Sequence, residues 1–113
     1  MRLYYGAADL ACLPSLNEGW PDALMESAAC GCPVVASRVG GVPDIVALTG
    51  AGILVAPGDA DALAAGITEG LGRPWRRDET ARIMQGHTLA QTAERYLATC
   101  VEAVAGFRAT RTA

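Results

Sequence analysis

The chain has 113 residues, a formal net charge of −3 at pH 7, and a 51% hydrophobic composition in which aromatic residues make up only 5% of the chain. That length supports one domain around a single core, and the acidic balance argues against a nucleic-acid partner, which selects a basic face. No apolar run approaches the roughly 20 residues that span a bilayer, and the N-terminus carries no signal-peptide pattern, so no transmembrane segment and a cytoplasmic location are expected.

In chain order, the first predicted element is Leu10-Ala-Cys-Leu-Pro14, a continuous apolar run of the kind found in strands buried on both faces. Pro21 suits the first turn of a following helix that runs to about Cys30 and stops at Gly31. A second strand, Pro33 to Ser37, leads through Gly40-Gly41 and Pro43 into a short helix from Asp44 to about Leu48. Gly52 to Val55 reads as a third strand, closed by Pro57-Gly58. Asp59 then caps a helix that carries Leu63, Ile67 and Leu71 on one face. Arg73 to Arg77 reads as a break and a solvated basic connection. From Leu89 onward, Ala93, Tyr96, Leu97, Cys100, Val104 and Phe107 recur at spacings of three and four, one face of a long amphipathic helix. Arg108 to Ala113 reads as a frayed tail.

Short apolar strands alternating with helices predict parallel pairing. The expected fold class is α/β: a partial Rossmann-like layer, a three-stranded parallel sheet with flanking helices, and a long C-terminal amphipathic helix. The four cysteines, Cys12, Cys30, Cys32 and Cys100, read as structural thiols in apolar surroundings, because a lone C-x-C pair is a weak metal signal.

The segment Glu18-Gly-Trp-Pro-Asp-Ala-Leu-Met-Glu26 concentrates the chemistry. A helix N-terminus gathers unpaired N–H groups and the positive end of a dipole, so it attracts phosphate. Carboxylates flanking such a site suit a ligand that carries both phosphate and hydroxyl groups. If the helix begins near Pro21, Glu26 lies about 7 Å along its axis, beside the first turns, whereas Glu18 lies ahead of the tip. The same residues also admit plainer roles: Glu26 as a dipole partner, Glu18 as a solvated turn residue. Trp20 suits packing on a sugar face or covering the core. Gly40-Gly41 suits a tight connection better than a second anion-binding turn, and His87 suits a surface or capping role.

The ordered motifs L-P-S, E-G-W-P-D-A-L-M-E-S-A-A-C-G-C-P-V-V-A-S, G-G-V-P-D-I-V and G-I-L-V-A-P-G-D resemble the nucleotide-sugar half of the retaining family 4, or group 1, glycosyltransferases of the GT-B fold. The resemblance covers roughly residues 3 to 71 and implies specific roles. Glu18 would face the transferred sugar as the catalytic-site glutamate. Glu26 would accept hydrogen bonds from the ribose hydroxyls. Backbone N–H groups of the turn, represented by Asp22, Ala23 and Leu24, would hold the diphosphate, with Gly19 and Trp20 beside them. The implied ligand is a nucleoside diphosphate sugar, with no cofactor and no metal bound by an aspartate pair.

By the same resemblance, residues 1–72 would be the second half of the donor-binding domain, residues 73–113 its C-terminal helices, and the three strands the fourth to sixth of a doubly wound sheet. The first strand would then expose an edge that an absent N-terminal domain or a homodimer partner covers, and turnover by this chain alone is not expected. The alternative is a non-catalytic dimerisation or interaction module built on that scaffold. A receiver-like regulator is disfavoured because no acidic cluster follows an opening strand.

Overall fold

Three parallel strands organise the molecule. In the computed structural model, which describes residues 1–111, β1 (Ala11–Leu13), β2 (Val34–Ser37) and β3 (Gly52–Val55) pair in the order β1-β2-β3. Ala11 stands opposite Val34, Val34 opposite Gly52, and Ser37 opposite Val55. The helices are α1 (Arg2–Ala7), α2 (Asp22–Ala29), α3 (Val42–Thr49), α4 (Ala60–Gly72), α5 (Arg77–Met84) and α6 (Leu89–Arg111). The architecture is thus the α/β layer with a three-stranded parallel sheet, flanking helices and a long C-terminal helix.

Because side chains alternate along a strand, the two sheet faces have different partners. Val34 and Ala36 of β2 meet Leu24 of α2 and Val42 and Ile45 of α3, with Ala11, Leu13 and Leu54 at the margin. Each fully buried Leu or Ile there contributes about 1.5–3 kcal/mol. The opposite face presents Val35, Ile53 and Val55 to α4. There the contact runs through glycines: Gly66 and Gly70 are buried, whereas Leu71, expected on the packed face, is exposed. A leucine at either buried position would hold the helix off the valines.

Several expectations are corrected. β1 is shorter than Leu10 to Pro14 and is not buried on both faces, although it stands at the sheet edge as expected. Helix α4 packs on β2 and β3, and Cys12 of β1 reaches the surface. Cys100 is also exposed, so only Cys32 among the four thiols is fully buried, with Cys30 intermediate. Partial desolvation, and next the nearby Cys32, push the Cys12 thiol above its ordinary pKa. Pro21, expected in the first turn of α2, is its N-cap, one residue ahead of the helix. The short third helix is longer at both ends than Asp44 to Leu48. The Asp59 cap is present, its carboxylate accepting from Ala62 N–H at 2.8 Å.

The segment 73–77 is not simply a solvated break. Arg77 opens α5, and its guanidinium donates to the carbonyls of Ala8 at 2.7 Å and Tyr5 at 3.3 Å, satisfying the end of α1. Arg73 lies over the Trp75 ring at 4.7 Å, and Arg76 pairs with Glu79 on the surface. Helix α6 continues through the expected tail to Arg111; residues 112 and 113 lie outside the described residues. No side chain from Leu89 to Arg108 is buried, and α6, about 35 Å long by its rise per residue, extends a molecule whose longest dimension is 61 Å.

Candidate functional site

In a parallel sheet all strands point the same way, so the loops that follow them gather at one end. Here those loops are 14–21 after β1, 38–41 after β2 and 56–59 after β3. A cleft of about 200 Å³ opens among them, lined by Pro14, Ser37, Val55, Gly58 and Leu63. Loop 14–21 delivers the chain to the tip of α2.

The first loop carries Glu18, Gly19 and Trp20. Glu18 is partly exposed, and the Ser15 hydroxyl donates to its Oε1 at 2.6 Å. Gly19 is exposed, and its carbonyl accepts from Gly41 N–H at 2.7 Å. Trp20 is 53% exposed, with one edge of its ring over Gly41, so it is neither a core residue nor fully solvated. Gly40 has φ +49, and a Cβ on it would fall on the Glu18 carbonyl. These glycines serve the close approach of two loops, which agrees with the tight-connection reading.

At the tip of α2, Asp22 and Ala23 are exposed and Leu24 is buried. The Leu24 N–H donates to the Pro21 carbonyl at 3.1 Å, so the amides that the tip offers first are those of Asp22 and Ala23. Glu26 shares their open face, while Leu24, Ser27 and Ala28 form the buried face. It stands about 6 Å along the axis from Asp22. The carboxylate also borders a groove of about 570 Å³ between α1 and α2, lined by Met1, Arg2, Tyr5 and Cys30. Partial burial, and next the Glu26 carboxylate, raise the Tyr5 phenol above its ordinary pKa. The structure therefore brings Glu18, Gly19, Trp20, Asp22 and Ala23 to one end of the sheet, with Glu26 down the open side of the same helix.

Two residues at this end of the sheet were not expected: Ser15, whose S-x-x-E spacing to Glu18 was the available signal, and Arg38, an exposed cation at the carboxyl end of β2. His87 lies near the surface, its ring Nδ1 3.3 Å from the Ile83 carbonyl, as a capping role requires. Among the described residues no cluster of His, Cys, Asp and Glu is arranged to hold a metal ion, and no helix is long and apolar enough to cross a membrane.

Residues 1–85 match the family profile of the glycosyl transferases group 1. The chain belongs to the group 1 glycosyltransferases. A D-inositol 3-phosphate glycosyltransferase of Saccharomonospora viridis is 36% identical over 110 residues, 94% of this chain and 26% of that protein. The O-antigen chain mannosyltransferase B of Escherichia coli is 39% identical over 79 residues, 69% of this chain and 20% of that protein. Among solved structures, sucrose-phosphate synthase from Thermosynechococcus elongatus superposes with a TM-score of 0.73 at 33% identity, covering 89% of this chain and 27% of that one. This group 1 glycosyltransferase chain thus has the fold of a GT-B glycosyltransferase domain, and it spans about a quarter or less of the curated relatives it matches.

Proposed function

We propose that this chain forms one wall of the donor site of a retaining group 1 glycosyltransferase and binds a nucleoside diphosphate sugar. In this reading the diphosphate lies at the tip of α2, against the N–H groups of Asp22 and Ala23, where backbone donors and the helix dipole favour an anion. Glu26 accepts from the ribose hydroxyls along the helix flank. Glu18, ahead of the tip, accepts from hydroxyls of the transferred sugar. The observation that carries the reading is the open face of α2, on which Asp22, Ala23 and Glu26 lie in line behind the Glu18 loop.

In the overall transfer, the anomeric carbon–oxygen bond to the diphosphate breaks. A bond to the acceptor oxygen forms on the same face of the sugar, and the acceptor's proton leaves with the departing diphosphate. Donors already aimed at the diphosphate stabilise the charge that develops on it. The acceptor side of the cleft, and further cations for the diphosphate, would come from a second polypeptide unit, an upstream domain or another copy. The open edge of β1 and the apolar side of α6 are the surfaces available to it.

Calorimetric titration of the chain with uridine and guanosine diphosphates, and with their sugar derivatives, tests the reading. One nucleotide series should bind, and Glu26→Ala should weaken it by about 1–3 kcal/mol, the cost of losing hydrogen bonds to a charged group. Affinity unchanged by that substitution would refute the role of Glu26.

A further inference from the structure

Glu18 sits on a loop that has no regular structure of its own, yet one contact fixes its carboxylate and a second fixes the backbone at its neighbour Gly19. From within the loop, the Ser15 hydroxyl donates to Glu18 Oε1 at 2.6 Å, the short distance of a charge-assisted bond. From across the strand ends, Gly41 N–H donates to the Gly19 carbonyl at 2.7 Å. The fit beneath is close. A Cβ at Gly40 would fall on the Glu18 carbonyl, and one at Gly41 would come within 2.6 Å of the Trp20 ring. The left-handed φ of +49 at Gly40 is itself a conformation that side chains rarely adopt.

We propose that Ser15 and the Gly40–Gly41 turn are positioning residues that hold the Glu18 carboxylate ready for the sugar of the donor. This rests on the reading that Glu18 meets that sugar. A free glutamate samples many rotamers, and freezing one on binding subtracts from affinity. With Ser15 engaged at Oε1, that cost is met during folding, and Oε2 is left to accept from a sugar hydroxyl. The Gly40–Gly41 turn sets the height of the Glu18 backbone, because any side chain there must lift the loop away from the sheet end. Ser15 acts only through Glu18, so its effect should be confined to ligands that carry the sugar.

The test compares a nucleoside diphosphate sugar with its bare nucleoside diphosphate, using UDP-glucose with UDP and GDP-mannose with GDP on the full chain. The wild type should bind the sugar nucleotide of the better pair more tightly than the diphosphate. Ser15→Ala should weaken the sugar nucleotide by about five- to tenfold and leave the diphosphate unchanged. Ser15→Thr, which keeps the hydroxyl, should restore the difference. Equal binding of both ligands by Ser15→Ala and the wild type would overturn the proposal while leaving the nucleotide site intact. If the wild type binds no nucleotide, the functional reading fails. The positional claim then still stands or falls on amide shifts: Gly40→Ala should move the signals of Gly19 and Trp20, and unmoved signals in a folded variant would refute it.

Discussion

Gly66 of α4 lies directly against Val35 of β2, and a Cβ added there would come within 2.9 Å of a Val35 methyl and a Val55 methyl. The helix is therefore seated on the sheet by the absence of a side chain. Gly66→Leu should destabilise the fold by about 1–3 kcal/mol through overpacking. Gly72→Ala, in the same helix but facing open space, should be neutral or stabilise by up to about 1 kcal/mol. Urea denaturation followed by circular dichroism distinguishes the two. Equal effects would mean that α4 does not rest on its glycines.

Arg77 joins α5 to the end of α1 by two guanidinium bonds to carbonyls. Arg77→Met should cost about 1.5–3 kcal/mol, the range for hydrogen bonds made by a charged group. Arg77→Lys should recover only part of that loss, because an ammonium lacks the planar fork that spans two carbonyls. A lysine variant as stable as the wild type would show that charge, not geometry, holds α1.

Asp22 occupies the first turn of α2, where its charge favours the helix dipole yet would repel an arriving diphosphate. Asp22→Asn should therefore lower the melting temperature slightly while tightening nucleoside diphosphate binding by about fivefold at low salt, with the gain shrinking as salt is added. Weaker binding by this variant would place the diphosphate away from the helix tip.

Leu97, Val101 and Val104 on α6 are 65%, 59% and 51% exposed, and Tyr96 is 74% exposed. With the bare edge of β1, this apolar surface should drive self-association at tens of micromolar. Analytical ultracentrifugation should find species heavier than the 11.7 kDa monomer. Leu97→Glu combined with Val101→Glu should return the chain to a monomer. A monomeric wild type with a cooperative melt would rule association out.

Much of the layer order was legible because the strands announce themselves: Gly52 to Val55 is delimited by glycine and proline, and Asp59 is a strong local cap. Helix α1 was missed because Arg2 to Ala7 is only six residues long and has no side-chain cap, its end being held instead by Arg77 from far along the chain. Helix α5 was missed because its first half is charged and only Thr80 and Met84 are buried. The error over Leu71 has the same origin as the Gly66 contact: periodicity counts large apolar residues, and the packed stripe is made of small ones. At the candidate site, the Glu18-to-Glu26 motif and its helix were readable locally. The seating of Glu18 on Gly40-Gly41 was not, because it depends on two loops meeting at the strand ends.

In the proposed site the leading amides of α2 receive the diphosphate of a sugar nucleotide. Titration of the isotope-labelled chain with a nucleoside diphosphate, followed by amide chemical shifts, tests it most directly. Saturable shifts should be largest at Asp22 and Ala23 and extend to Glu26, with Arg73 and Trp75 undisturbed. Shifts centred on Arg73 and Trp75 instead, or none at the start of α2 at saturation, would place the diphosphate elsewhere.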